Sequence, residues 1–338
     1  MRELFKPKFS QNTKYAYSVG RIRGLELRLL NSQQIERLVE ADTVNEFINE
    51  LNETSYKKYI QYLSHNTDFE IVLMKILSDF MTELEALCND PDIYSALCFP
   101  FDIHNLKFTL KRYLSGEDYA GIHYIKLGNY SPELFEMLLK EKQYNDFPDD
   151  LRAAVVEVVN EYSSSQNINI VDLVLDKILY PYWIVVGKGL GIEYLVNLSR
   201  LSIDIANFGM ILRMKGFDRN PRILRLALID GGFFPRDYLI GLFENDFISI
   251  IQMLNDDPYR KLFNGIDDRM QVIDIIEAYE TNSRQLIHEY CSLANYVSFG
   301  VEPIIALYIK KSEELRILRT IYLGRKNNFS KDQIKKLI

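Results

Sequence analysis

Apolar residues recur every three or four positions along most of the chain, the spacing that gathers them on one face of an α-helix. Leu73, Ile76, Leu77, Phe80, Met81, Leu84 and Leu87 follow it without a break and predict a long helix near residues 68–88. Residues 269–296 predict its counterpart near the C-terminus. Thr43-x-x-Glu46 and Ser330-x-x-Gln333 have capping-box spacing, and Ser131-Pro132 joins a capping hydroxyl to a first-turn proline. Asp102 and Asp204 read the same way, as caps of helices beginning near residues 102 and 204. No stretch alternates strongly enough to demand a strand, so the expected fold class is all-α.

The pattern also repeats. Residues 70–77 (EIVLMKIL) match 172–179 (DLVLDKIL), and 102–111 (DIHNLKFTLK) match 204–213 (DIANFGMILR), both at an offset of 102. Two matches sharing one ungapped offset point to duplication rather than to shared composition. Phe47-x3-Leu51-x4-Tyr56, Phe135-x3-Leu139-x4-Tyr144 and Ile250-x3-Leu254-x4-Tyr259 indicate a third copy. The C-terminal ELRILRTIYLG (314–324) agrees, laying Leu315 over Leu106, Arg316 over Lys107 and Tyr322 over Tyr113. Three similar helical units follow, 1–102, 103–204 and 205–338. The breaks at Ser64-His65-Asn66-Thr67, at Ser163 to Asn167 and at Asn264 to Asp267 are too short for flexible linkers. One closed or curved body is expected.

Charge and composition narrow the function. The 338 residues carry 40 Lys and Arg against 47 Asp and Glu, net −7, a field that repels phosphate backbones and argues against a nucleic-acid partner. Cys88, Cys98 and Cys291 are an odd, widely spaced set that suits a reducing, intracellular compartment. The N-terminal MRELFKPKFS lacks the apolar run of a signal peptide, and the apolar run from Ile178 to Val186 contains Pro181 and is too short to span a bilayer. The expectation is a soluble chain, or one held at a membrane through partners.

Catalytic motifs are missing. Gly187-Lys188-Gly189-Leu190-Gly191 resembles a phosphate loop but lacks the Ser or Thr after its lysine, and the repeat aligns it with a helix, so it reads as a structural glycine cluster. His65, His104, His123 and His288 show no metal-ligand spacing. The acidic pairs Asp149-Asp150, Asp256-Asp257 and Asp267-Asp268 suit helix starts and form no DDxxD. With no GxSxG and no partner for a nucleophilic cysteine, no catalytic residue, cofactor, metal or small-molecule substrate is expected. Asp102, Asn105 and Lys111 recur as Asp204, Asn207 and Arg213, suited to tying helices together or to lining a partner-binding wall. Residues 316–338 carry seven cations against Asp332 alone, fit for a helix C-terminus or for an anionic surface.

The run Tyr15-Ala16-Tyr17-Ser18-Val19-Gly20-Arg21-Ile22-Arg23-Gly24-Leu25-Glu26, followed by Leu29-Leu30, resembles the opening of the rotary V-type and A-type ATPase component named C in prokaryotes and d in eukaryotes. Glu53-Thr54-Ser55-Tyr56, the segments starting at Asp102 and Asp204, the triplication and the length fit that family throughout. The resemblance implies a non-catalytic part of the rotor: a funnel of three helical units with pseudo-threefold symmetry. It would sit on the proteolipid ring at the cytoplasmic face of the membrane and receive the central shaft. On that reading Arg21, Arg23, Asn105, Lys111, Asn207, Arg213, Arg316 and Arg319 are expected on or beside the shaft-binding wall. The competing reading is a solenoid-like scaffold or adaptor that binds peptides on a concave face.

Overall fold

The computed structural model describes residues 5–63, 69–117, 124–217, 221–254, 258–267 and 269–338, and every regular element among them is helical. The first helices are α1 (Ala16–Glu26), α2 (Ser32–Glu40), α3 (Val44–Asn52), α4 (Lys57–Ile60), α5 (Phe69–Leu87) and α6 (Pro91–Ser115). There follow α7 (Pro132–Lys140), α8 (Asp149–Ser165), α9 (Ile170–Leu175), α10 (Leu179–Gly189) and α11 (Glu193–Phe217). The rest are α12 (Pro221–Ala227), α13 (Arg236–Glu244), α14 (Phe247–Met253), α15 (Val272–Ser292), α16 (Glu302–Lys326) and α17 (Lys331–Leu337). His65, His123, Asp256, Asp257, Asp268 and the break at Ser64 to Thr67 lie outside the described residues.

Helices and caps follow the apolar spacing closely. The predicted helix near 68–88 is α5, which buries Leu73, Ile76, Phe80, Met81, Leu84 and Leu87. The one expected over 269–296 is α15, prolonged by a 3-10 turn, Leu293–Tyr296. Ser330 and Gln333 form a complete capping box, and so do Asn31 and Gln34. Thr43 caps Glu46, whose carboxylate turns back to the Asp42 amide instead of to the cap's own amide. Asp149 and Asp150 sit in the first turn of α8, whereas Asp267 caps a turn at Arg269, ahead of α15.

One expectation about helix starts is corrected. α6 begins at Pro91 and α11 at Glu193, so Asp102 and Asp204 lie eleven residues inside their helices and cap neither. α6, α11 and α16 are each 25 residues long. Proline is tolerated at position 100 of α6 for a local reason. Its missing N–H leaves the Ala96 carbonyl without a helical donor, and the indole of Trp183 supplies one at 2.7 Å.

Packing divides the chain into two compact units, each described by itself. Unit 1 comprises Met1–Lys8, Asp90–Arg260 and Asp267–Ile276; unit 2 comprises Phe9–Asn89, Lys261–Ile266 and Glu277–Ile338. In unit 1 the largest core joins α6, α7, α8 and α9 around Leu106, Leu110, Phe135, Phe147 and Val155. Gly187 of α10 is buried where α11 crosses, and a methyl group there would strike Val196 and the Ile192 carbonyl, so this one glycine of the cluster serves close helix packing, while Gly191 takes a left-handed backbone at φ 69°. Residues Glu193–Gly216 of α11 are long and apolar enough to cross a membrane, but two-thirds of the most apolar window is buried in the protein, as in a core helix. In unit 2 the core joins α2, α3, α5, α16 and α17 around Leu38, Phe47, Phe69, Leu318 and Ile334.

Candidate functional site

The repeated polar residues form a latch at the middle of α6 and of α11. On α6, Asn105 receives the Ile125 amide and donates to the Ile125 carbonyl, both at 2.8 Å. One turn earlier the Asp102 carboxylate accepts from the Tyr130 amide at 3.0 Å and from the Asn129 side chain at 2.7 Å. The segment held is the non-helical approach to α7, and it comes so close that a side chain at Gly128 would strike Asp102. On α11 the geometry recurs: Asn207 pairs with both backbone groups of Ile229 at 2.8 Å, and Asp204 accepts from the Phe233 amide at 3.1 Å and from the Tyr259 hydroxyl. Gly232 is the glycine there. Both carboxylates are wholly buried, and desolvation outweighs their hydrogen bonds, pushing each up to about 6.

The third latch differs in chemistry. In the register that lays Leu315 over Leu106, Lys311 stands over Asp102 and Glu314 over Asn105. Glu314 accepts from the Leu30 amide and the Tyr56 hydroxyl, Lys311 donates to Glu314 at 2.8 Å and to Tyr56, and its ammonium lies over the Tyr56 ring. Burial and the Glu314 carboxylate together hold the Tyr56 phenol well above its ordinary range. Tyr56 and Tyr259 are the same position of the repeat, and both hydroxyls end in a latch. Lys311, Glu314 and Tyr56 are not among the sequence-based candidates. The match beginning at Glu314, carried back three residues, leads to Lys311.

Asn105 and Asn207 of the predicted wall are therefore buried and spent on backbone groups. Lys111 pairs with Asp172 at 2.6 Å, and Arg319 grips Glu70 through two bonds of 2.6 and 2.8 Å. Glu70 and Asp172 are one repeat position, and each lies in the first turn of its helix, α5 or α9, where it meets a base of α16 or α6; Asp274 stands in the same register, 102 residues beyond Asp172. Arg316 binds Glu313 and the carbonyls of Leu337 and Ile338. Arg23 holds Glu26 and the carbonyls of Ala294, Asn295 and Val297, while Arg21 is exposed. Arg23, Arg21, Arg316 and Arg319 fall in unit 2, and Asn105, Lys111, Asn207 and Arg213 in unit 1.

Arg213 lines a cavity of about 440 Å3 in unit 1, together with His104 and Lys107 of α6, Lys177, and Met210 of α11. Its floor is apolar, and the ammonium groups of Lys107 and Lys177 on its rim pair with Asp176 at 2.6 Å and Glu157 at 3.0 Å. Such a surface can seat an apolar side chain beside an anionic one. Among the described residues no group of three or more His, Cys, Asp and Glu is placed to hold a metal ion. The basic C-terminal stretch is largely neutralised inside the protein: Lys331 and Lys335 pair with Glu40, and the buried guanidinium of Arg325 donates to the Val39 carbonyl.

A family model described as ATP synthase (C/AC39) subunit matches residues 18–337. The C subunit of the V-type sodium ATPase of Enterococcus hirae is 26% identical, over 93% of this chain and 94% of that protein. The C subunit of the A-type ATP synthase of Methanocaldococcus jannaschii is 23% identical over 96% of this chain and 86% of its own length, and that of Desulfurococcus sp. is 21% identical over 96% and 90%.

Proposed function

The chain belongs to the ATP synthase (C/AC39) subunit family, and from that premise we propose that it is a non-catalytic central-stalk subunit of a V/A-type rotary ATPase. It seats the central shaft on the proteolipid ring and passes torque between them during ATP-coupled proton or sodium transport. It lies peripherally at the cytoplasmic face, attached through the ring. Three helical units, with boundaries near residues 102 and 204, close with pseudo-threefold symmetry into a funnel whose cavity receives the shaft.

The observation that carries this reading is a family match spanning nearly the whole chain, with relatives named from both V-type and A-type complexes. The physics of the latches supports it. A torque coupler must be stiff, because a soft one stores rotation as elastic strain, and close-packed helices resist deformation. Each 25-residue helix is gripped at its middle by buried, directional bonds instead of apolar contact alone. At the shaft wall the asparagines and paired cations, Asn105, Asn207, Lys111, Arg23, Arg316 and Arg319, shape the surface. Exposed Arg21 and cavity-lining Arg213 meet the partner.

Reconstitution tests the proposal. The chain should join a detergent-solubilised proteolipid ring to an isolated shaft, and its omission should prevent their association. Arg213→Glu with Arg316→Glu should weaken shaft binding by about tenfold or more. A general adaptor would bind peptides without joining ring to shaft, and unchanged affinity in the double variant would remove these two arginines from the wall.

A further inference from the structure

Helix α1 turns Ser18, Val19, Ile22 and Leu25 inward, and all four are buried. Its outward line, continued by the turn after it, is Tyr17, Gly20, Arg21, Gly24, Leu27 and Arg28, the three- and four-residue spacing of a single helical face. Tyr17 is 73% exposed and Leu27 88%, large apolar groups left in water at both ends of that line. The helix beneath them is firmly held. Arg23 donates to three carbonyls of the 293–297 turn at 2.8 to 3.2 Å, and Glu26 binds Lys310 at 2.9 Å. The same turn carries Tyr296, 86% exposed.

Charge sets this face apart from the rest of an acidic chain. The six outward residues include two arginines and no carboxylate, against a net charge of −7 overall. Among the described residues the Arg28 guanidinium pairs with Glu83, at 3.4 Å and with both side chains about half exposed. The two glycines at the centre of the face have no role in the chain's own packing. A methyl group on either would meet nothing within 4 Å, and neither needs a left-handed backbone. Glycine is among the poorest formers of a helix interior, so its place here is explained by something outside the chain that comes close to the helix backbone.

We propose that the outward face of α1 is a docking surface for a partner helix that carries carboxylates. Tyr17 and Leu27 bracket its apolar residues, Gly20 and Gly24 admit its backbone, and Arg21 pairs with an acid on it. The charge of the face selects the partner: a basic or neutral helix would leave Arg21 desolvated without a counter-ion. The identity of that partner rests on the rotor reading, which makes it the central shaft.

The experiment titrates the isolated shaft against the full chain and its variants by calorimetry, with thermal melting of each chain alone and sedimentation of the free chain. Gly24→Leu should weaken binding by about tenfold while leaving the melting temperature equal or higher, since leucine is the better helix former and meets no clash. Arg21→Glu should weaken it at least as much, and added salt should erode wild-type affinity more than that of the Arg21→Glu variant. Wild-type affinity in both variants overturns the docking face while leaving the rotor reading intact. Failure of the unaltered chain to bind the shaft overturns both. Loss of ring attachment with shaft binding kept, or self-association abolished by Gly24→Leu, assigns the face to the ring or to a second copy and also overturns the proposal.

Discussion

Asp204 on α11 and Lys311 on α16 occupy one place in the repeat and hold their neighbours by opposite means. At α11 the carboxylate stands on the first residue of the pair and accepts backbone N–H groups and the Tyr259 hydroxyl. At α16 that place holds an ammonium group, and the acid sits one turn later, at Glu314, where it accepts the Leu30 amide and the Tyr56 hydroxyl. What is common to both is an anionic acceptor in mid-helix, a tyrosine and an incoming amide. The charge can move by three residues because positions three apart share a helix face. The electrostatic outcome differs, since the α16 latch neutralises its own buried acid at 2.8 Å whereas Asp204 has only neutral donors in hydrogen-bond contact and the more distant Arg200. The α16 latch also joins residues 30 and 56 to 311 and 314, so it forms only when segments more than 250 residues apart in the chain meet.

The comparison is broken most severely at α11. Asp204→Ala removes the buried acceptor shared by the Tyr259 hydroxyl and the Phe233 amide, and at about 1–3 kcal/mol for each lost bond it should destabilise the chain by roughly 4 kcal/mol. Urea unfolding measures this, and amide exchange should show early loss of protection at Ile229 and Phe233. At α16, Lys311→Met leaves Glu314 buried without its cation and should cost about 3 kcal/mol. Adding Glu314→Asn and Lys311→Asp together, which installs the α11 chemistry, should recover part of that loss; a double variant no better than Lys311→Met would mean that the latches are not interchangeable.

The most gradual test is pH. Asp102 and Asp204 titrate at about 6 in the folded chain, above the ordinary 3.8, because burial disfavours their charged form. Their protonated forms therefore contribute stability that is full below about pH 4 and is lost as pH rises through 6, about 3 kcal/mol for each group. Between pH 4.5 and 7 the urea midpoint should fall as pH rises, and Asp204→Asn should flatten the slope. Asp150, also raised by burial, adds in the same direction, while Asp230, held below its ordinary range by Arg236, acts at lower pH and with the opposite sign. A wild-type midpoint that rises across the window would show that the latch carboxylates stay charged at little expense.

Much of this is legible in the chain. The α5 face from Leu73 to Leu87 matches its periodicity, and the Ser131 and Ser330 caps lie where their spacing puts them. The misreading of Asp102 and Asp204 has a definite cause. A carboxylate that caps the amides of its own helix and one that takes amides almost thirty residues away use the same chemistry, and residue type alone cannot tell them apart. The wall residues are only partly legible for a related reason. Lys111 and Arg319 look like available cations until the fold brings Asp172 and Glu70 to them.

By itself, then, the amino-acid sequence determined the helical class, the extent of α5 and the capped starts of α3, α7 and α17, because these follow from interactions within a few residues along one chain segment. Which polar side chains are spent inside the protein and which remain for a partner was decided only by tertiary structure. A polar group is satisfied by whatever complementary donor or acceptor lies within about 3 Å, and for the accepting Glu314 or the donating Arg23 that partner is more than 250 residues away.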